Sequence, residues 1–221
     1  MSAVLSSLTV AQLAQLAKQQ VDNYFPDPNP ADLKLLQIAV AQALPRLEHC
    51  FAQVNNKYFF DGKQAVFDHL HGDQYAMWLY FLSNQLFKMG EGQDISKKLF
   101  LLNKALHGCD IYYEVELPEI FLLVHPLGTV LGRGDYQDYL VAYQKCGVGS
   151  NHDIYPTMGK HFTLRPGSSI LGQCETGDNV TLAADSLLLD TKLPENTLYI
   201  GGPKNNVTKP LTSTLSVWRS N

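Results

Sequence analysis

The side chain best suited to chemistry in this sequence is the imidazole of His125. It lies in the segment VHPLGTVLG, between the apolar run Ile120–Val124 and a proline. A neutral imidazole with a pKa of about 6.5 can accept a proton from a hydroxyl near neutral pH, so His125 is a candidate general base. Histidine is also common as a half-buried side chain packed in a turn. The surrounding sequence has to decide between these two interpretations.

The composition indicates an ordered globular protein. The chain has 221 residues, of which 45% are hydrophobic and 17% charged, and its formal net charge is −4. These values argue against disorder and provide no basic surface for nucleic acid, although a local anion site stays open. The cysteines lack the paired spacing of a zinc or disulfide framework, so we expect a reducing compartment. They are Cys50, Cys109, Cys146 and Cys174.

The sequence shows no candidate for membrane insertion. Its densest apolar stretch, Tyr75–Leu82, is far too short to cross a bilayer. The N-terminal segment lacks the charged region, the continuous apolar region and the cleavage site of a signal peptide. We therefore expect a cytoplasmic protein without a membrane span.

The first half of the chain shows helical periodicity and no visible chemistry. Thr9 and Gln12 form a plausible capping box ahead of the first apolar run. Pro45 is expected to end or kink the second helix. Packing or oligomerisation is the default role of the apolar faces. The helices are predicted at about residues 10–24, 30–44, 73–89 and 95–106.

From residue 108 onward a period of six replaces the helical period. Six consecutive hexads begin at Met158, with apolar residues at five of the six first positions and mostly small or medium residues at the fifth. The first positions are Met158, Leu164, Ile170, Thr176, Leu182 and Leu188. The fifth positions are Phe162, Ser168, Cys174, Val180, Ser186 and Lys192. An earlier register is visible at Ile111, Leu117 and Leu123.

A six-residue repeat of this kind predicts a triangular coil. Each hexad suits one short strand and a corner, and three hexads complete a turn of about 18 residues. Stacked turns satisfy the backbone hydrogen bonds and build a ladder of aliphatic side chains along the axis. Residues 150–157 break the count, so we expect a loop to leave the prism there.

Hexads behind a helical domain resemble those of the hexapeptide-repeat acyltransferases, and the closer resemblance is to the serine acetyltransferases. In that family a DIHP segment precedes the histidine of a DHATG segment by an interval of fifteen residues. Here Asp110 precedes His125 by the same interval. The segment LPENTLYIGGPKN also resembles the family's C-terminal motif. The resemblance covers roughly Gly72 to Lys204.

This resemblance implies an α+β fold that ends in a left-handed parallel β-helix. We expect an N-terminal α-helical domain over residues 1–107, the β-helix acyltransferase domain over 108–204 and a C-terminal tail over 205–221.

The implied activity is acetyl-CoA-dependent O-acetyl transfer without an acyl-enzyme. His125 would be the general base, and Asp110 would orient its ring. A backbone N–H within Gly147–Ser150 would stabilise the oxyanion. Taken alone, Asp110 would sooner be a coil cap or turn residue, and it is the matched fifteen-residue interval that favours its pairing with His125.

Acetyl-CoA is expected, by resemblance, in a groove between neighbouring prisms. Lys204 would meet a CoA phosphate, and a solvated tail lysine is the alternative of equal weight. The groove implies a homotrimer or a dimer of trimers. The cofactor-binding residues would be Gly149, Ser150, Pro166, Gly167, Ser168, Ala183, Ala184 and Lys204.

The acceptor is where the sequence departs from the family. Val124 replaces an aspartate that precedes the family's histidine, and Ile154 and Tyr155 stand where the family has an arginine and a histidine. Two missing charges weigh against L-serine, which is a zwitterion. We therefore expect a small-molecule acceptor with a hydroxyl group, namely a sugar of surface polysaccharide synthesis. The alternative is a serine O-acetyltransferase of cysteine biosynthesis.

The expected acceptor site combines Val124 and Tyr155 with Tyr143 and Gln144. Tyrosine and glutamine suit a sugar hydroxyl, although the tyrosines of residues 132–144 could equally pack a trimer.

Two other classes of function remain open. Zinc-dependent carbonic anhydrases also use β-helix prisms, but the histidines in and next to this half lack the paired spacing of such a site, so we expect no metal. A non-catalytic trimeric scaffold is the further alternative. These histidines are His107, His125, His152 and His161.

Overall fold

The structure, a computed structural model, describes residues 4–213 and 217–219. Four helices come first, and a parallel β-solenoid of about four turns follows. The helices are α1 (Val10–Tyr24), α2 (Leu33–Phe51), α3 (Gly72–Met89) and α4 (Gln93–His107). Strands β1 (Leu5–Ser6) and β2 (Val66–Phe67) form a small parallel pair within the helical half. No helix in the described ranges is long and apolar enough to cross a membrane.

The predicted helix signals are confirmed at the first helix and corrected at the second. Thr9 caps α1 through its side chain, and the Thr9 backbone N–H donates in turn to the side-chain oxygen of Gln12. Of the two outcomes expected at Pro45, an end of the helix is wrong, because α2 continues through it to Phe51. The helix tolerates this proline because Leu44 and Leu47, on either side of it, are buried in the core, and tertiary packing sustains helices against local propensity.

Helix α3 is the centre of the helical half and joins it to the solenoid. Its side chains are buried over most of their length. Two polar side chains hold the segment that leads into the solenoid: Asn84 donates to the carbonyl of Tyr113, and the Tyr80 hydroxyl donates to that of Val115. These buried hydrogen bonds fix the first coil against α3.

The solenoid has three faces, each a stack of parallel strands. Face 1 contains β3 (Phe121–Leu123), β6 (Leu140–Ala142), β9 (Thr163–Leu164), β12 (Val180–Leu182) and β15 (Thr197–Gly202). Face 2 contains β4 (Val130–Leu131), β7 (Gly147–Gly149), β10 (Ser169–Leu171) and β13 (Leu187–Leu189). Face 3 contains β5 (Asp135–Tyr136), β8 (Thr157–Met158), β11 (Glu175–Thr176) and β14 (Lys192–Leu193).

The six-residue period is confirmed by the strand registers. Thr163 pairs with Thr181, eighteen residues later, whereas Val141 pairs with Thr163 across twenty-two. The four additional residues belong to the predicted loop at 150–157, which turns at two left-handed residues, His152 and Asp153. Of the first positions of the hexads, all but Thr176 are buried, so they form the ladder expected along the axis.

The corner between face 1 and face 2 repeats in every coil. It stacks Gly128, Lys145, Gly167 and Asp185, and all four have positive φ. The backbone N–H groups of the last three donate to the coil below, at the carbonyls of Leu127, Gln144 and Pro166 respectively. We call this stack the first corner column.

The outer surfaces of face 2 and face 3 differ in charge. Face 3 presents the polar residues Asp135, Thr157, Glu175 and Lys192, and the last two form an ion pair. Face 2 presents no charged side chain on its described strands. Its outward residues are Val130, Gly147, Gly149, Ser169, Leu171, Leu187 and Leu189.

The C-terminal segment returns towards the helices. Strand β16 (Asn205–Pro210) pairs antiparallel with β15, so this hairpin crosses the domain boundary predicted at residue 204. Trp218 lies edge-on to Tyr139 and bridges to Val54 of the helical half. Residues 1–3, 214–216 and 220–221 of the predicted first and last ranges lie outside the described residues, and the domain limits remain predictions.

Candidate active site

His125 lies in the turn that leads from β3 to β4. The turn is compact: the Leu127 N–H donates to the His125 carbonyl and the Thr129 N–H to that of Pro126. His125 itself adopts a left-handed conformation, with φ of 50°. Its side chain is 79% exposed, so it is not a packed histidine and its ring is open to a ligand.

The carboxylate beside His125 is that of Asp73, at the start of α3. Its Oδ2 atom lies 3.7 Å from Nδ1 of His125, which is ion-pair distance and longer than a hydrogen bond. Asp73 is only 17% exposed, and its position in the first helical turn is one that favours a carboxylate. Asp73 was not predicted from the sequence, because an acidic residue in a first helical turn was the only signal.

Asp110 does not contact His125 in this structure. Its carboxylate is 2.5 Å from Nζ of Lys104, in the last turn of α4. Its backbone pairs with Thr129 and Leu131, so it lies directly below the strand that follows the His125 turn. The neighbouring lysine is a stronger partner for a carboxylate than a neutral imidazole, which explains why the predicted pair is not formed.

The first corner column brings together six of the twelve other predicted site residues. Above the His125 turn, successive coils place Tyr143 and Gln144, then Pro166 and Gly167, then Ala183 and Ala184 at the same corner. Small residues here leave the backbone accessible. Coils are separated by about 4.8 Å, so the column forms a continuous line along the axis.

Ser168, by contrast, is unavailable to a cofactor. It occupies the fifth position of its hexad, which points into the coil, and it is fully buried. Its hydroxyl donates to the carbonyl of Arg165.

Gly149 and Ser150 lie at a different corner, between face 2 and face 3. Strand β7 crosses the whole of face 2 and separates them from His125. The N–H of Gly147, one of the expected oxyanion donors, is bonded to the Ser168 carbonyl in the ladder. Within one subunit these residues therefore do not join the His125 turn.

The remaining predicted residues have distinct surroundings. The Tyr143 ring lies beneath the guanidinium of Arg165, which also donates to its hydroxyl over 3.2 Å. The amide oxygen of Gln144 is buried without a hydrogen-bond partner among the described groups. Val124 packs against the core, whereas Tyr155 is 38% exposed on the loop. The exposed Lys204 is at the tip of the β15–β16 hairpin.

Burial shifts the titration of several nearby groups. It lowers the pKa of His107, while the charge of Asp73 acts in the opposite direction. Burial also raises the pKa of Cys50 and of Cys109 to about 12, which keeps both thiols protonated and unsuited to nucleophilic catalysis. In residues 4–213 and 217–219, no group of three or more histidine, cysteine or acidic side chains could hold a metal.

Comparison with known proteins points to one family of enzymes. No protein-family model matches the chain. It is 26% identical over 140 residues to a putative serine acetyltransferase of Schizosaccharomyces pombe, covering 60% of this chain and 50% of that protein. It is also 26% identical over 114 residues to the serine acetyltransferase of Synechococcus elongatus, covering 49% and 46% respectively. The chain thus spans about half the length of these relatives.

Solved structures of serine acetyltransferases share the fold. The Brucella abortus enzyme superposes with a TM-score of 0.69 at 18% identity, over 92% of this chain and 86% of that one. The Neisseria gonorrhoeae enzyme gives 0.66 at 19% identity, over 95% and 81%. A further Brucella abortus structure is a complex with coenzyme A. The predicted fold, helices followed by a β-solenoid of the hexapeptide-repeat type, is confirmed.

Proposed function

We propose that this chain is an acetyl-CoA-dependent O-acetyltransferase in which His125 is the general base. The observation that carries the proposal is the exposed His125 ring, which lies beside the largely buried Asp73 carboxylate at the foot of the first corner column. The names of the similar proteins and the shared fold support the same activity.

The proposed reaction is a direct transfer. Nδ1 of His125 faces Asp73, which leaves Nε2 for the acceptor. Nε2 takes the hydroxyl proton as the acceptor oxygen bonds to the thioester carbonyl carbon. The C–S bond then breaks, and the proton passes from the imidazolium to the departing thiolate of CoA. Asp73 stabilises the imidazolium in between.

The first corner column is the proposed path for acetyl-CoA. Gly167, Ala183 and Ala184 let an extended pantetheine arm approach the backbone. The β15–β16 hairpin lies four coils above the His125 turn, about 19 Å along the axis at 4.8 Å per coil. Lys204 at its tip would then meet the phosphates.

A second copy of the chain would complete the site. The uncharged outer surface of face 2 supports a homotrimer, since interface cores are depleted of charge. Packing prisms side by side would bring Gly149 and Ser150 of one copy towards the first corner column of another. Because all four cysteines are free and buried, we also place the protein in a reducing, cytoplasmic compartment.

L-Serine is the acceptor we propose first. The similar proteins are named serine acetyltransferases, and this is the observation that supports an amino-acid acceptor. This reverses the order expected from the sequence. A sugar hydroxyl is the second candidate, favoured by the exposed Tyr155 ring, because aromatic rings suit the apolar face of a sugar.

The test is release of the CoA thiol from acetyl-CoA in the presence of L-serine, UDP-glucose or UDP-N-acetylglucosamine. The proposal expects acceptor-dependent release that is fastest with L-serine. Release with a nucleotide sugar alone would keep the activity and replace the acceptor. An absence of thiol release with all three, together with an absence of CoA binding by calorimetry, would leave the scaffold interpretation.

A further inference from the structure

Lys145 occupies a corner position that does not suit a lysine. Its φ is 58°, in the left-handed region that favours glycine, asparagine and aspartate. Two other coils place Gly128 and Gly167 at the same corner, and a third places Asp185 there. A residue held in an unfavourable conformation at a candidate site is a starting point for a functional hypothesis.

The backbone and the stem of Lys145 contact the turn that carries the proposed base. Its N–H donates to the carbonyl of Leu127 over 3.0 Å, and its Cγ lies 3.5 Å from the point where Gly128 would carry a Cβ. The lysine stem is therefore stacked directly on the turn that holds His125.

The charge of Lys145 is uncommitted. Its side chain is exposed, and it is not among the lysines that form ion pairs in the described part of the chain. Those lysines are Lys18, Lys88, Lys97, Lys98, Lys104 and Lys192. Lys104 also lies near the turn, but the Asp110 carboxylate already neutralises it.

We propose that Lys145 binds the carboxylate of an amino-acid acceptor. This inference rests on the proposed function. The reactive end of acetyl-CoA is neutral, and its phosphates would lie near Lys204, so a lysine stacked on the turn that holds His125 is better suited to the acceptor than to the cofactor. Lys145 would then supply the cation that this chain lacks on its loop, where Ile154 and Tyr155 stand in place of the family's arginine and histidine.

The experiment compares kcat/KM for L-serine with that for L-serinamide, which retains the hydroxyl and the ammonium group but has no carboxylate. The main variant is Lys145→Asn, because asparagine tolerates positive φ. We expect the preference for L-serine over L-serinamide to fall by about 10- to 100-fold, mainly through a higher KM for L-serine, as for a lost hydrogen bond to a charged group. Lys145→Arg should retain the preference. Thermal unfolding of Lys145→Asn should occur at or above the wild-type temperature.

Two matched variants control for charge. Lys160→Met removes an exposed coil lysine at another corner and should leave the preference unchanged. Lys104→Met should also leave it unchanged; loss of the preference in this variant instead would overturn the assignment. An equal loss of rate with L-serine and L-serinamide in Lys145→Asn would also overturn the assignment. That result would indicate that Lys145 stabilises the oxyanion or the fold and does not bind the carboxylate.

The two proposals fail differently. Robust transfer to a nucleotide sugar with no transfer to L-serine would overturn the role of Lys145 while leaving the O-acetyltransferase intact. Thiol release that requires no acceptor hydroxyl, or no release at all, would overturn both.

Discussion

Nδ1 of His125 lies 3.7 Å from a carboxylate oxygen of Asp73, so a residue of the solenoid and a residue of helix α3 meet at the candidate base. The two belong to different halves of the chain. The helical half therefore contributes to the site, and α3, held to the first coil by Tyr80 and Asn84, positions the carboxylate.

Replacing Asp73 tests this contribution. Asp73→Asn removes the negative charge while keeping the shape of the side chain, so the imidazolium formed during transfer loses its stabilising partner. We expect kcat to fall by about 10- to 100-fold with little change in the KM for acetyl-CoA. Asp68→Asn is the control on the preceding loop, since the Asp68 carboxylate lies 3.8 Å from the His69 ring and is not the ion-pair partner of His125. Equal kinetics for the two variants would count against Asp73 as the partner.

Asp110 provides a contrasting prediction. Because its carboxylate pairs with Lys104, Asp110→Asn should behave as the loss of a partly exposed ion pair, costing up to about 1 kcal/mol of unfolding free energy. Its effect on kcat should be smaller than that of Asp73→Asn. The measurements are steady-state kinetics and denaturant unfolding of both variants. A fall in kcat of several orders of magnitude in Asp110→Asn would instead support the Asp110–His125 pair that the family resemblance implies.

Gly167 tests the first corner column. A methyl group there would collide with the Asp185 carboxylate, and the φ of 77° is itself unfavourable for alanine. Gly167→Ala should lower the unfolding free energy by about 2 kcal/mol or more and weaken CoA binding. Gly62→Ala is the control, because Gly62 also has positive φ but nothing within 4 Å of the added carbon. Calorimetric titration with CoA should show weaker binding by Gly167→Ala than by Gly62→Ala. Equal affinities of the two variants would argue against the first corner column as the path of acetyl-CoA.

His161 makes the fold sensitive to acid. Its ring stacks on Tyr139 with centroids 4.3 Å apart, its Nδ1 is buried without a partner among the described groups, and burial lowers its pKa below the ordinary 6.5. The unfolded chain therefore binds more protons at this site, and its contribution to stability falls as the pH drops below about 6.5. The pKa of His107 is lowered in the same direction.

The measurement is denaturant unfolding at pH 7.5 and pH 5.5. The wild type should lose stability between the two values, and His161→Asn, which accepts the φ of 58°, should lose less. Part of the loss should remain because of His107. A wild type equally stable at both values would contradict this account.

The repeat and the helices were predictable from the sequence because each depends on local periodicity. Burial of Leu164, Leu182 and Leu188 follows directly from the six-residue count. The ends of α3 and α4 lie within about two residues of the expected positions. The path through Pro45 was not predictable in this way, since tertiary packing outweighs the local penalty of a proline.

Contacts between distant segments account for what was missed. Asp73 comes next to His125 only once the helices pack on the first coil, and spacing along the chain cannot reveal this. The return of Trp218 to Tyr139 has the same origin, whereas the pairing of Asp110 with Lys104 is a local contact across six residues. The inward direction of Ser168, however, was implicit in its fifth position of the hexad.

The central claim is that His125 removes the proton from the acceptor hydroxyl. Its most direct test is the rate of CoA thiol release by His125→Asn at saturating acetyl-CoA and acceptor, with CoA affinity measured in parallel. Asparagine tolerates the left-handed φ of 50°, so the turn should be retained. The account predicts a fall in kcat of about 100- to 10,000-fold with unchanged CoA affinity. A kcat within about threefold of the wild type would contradict it, because general-base removal is worth far more than that.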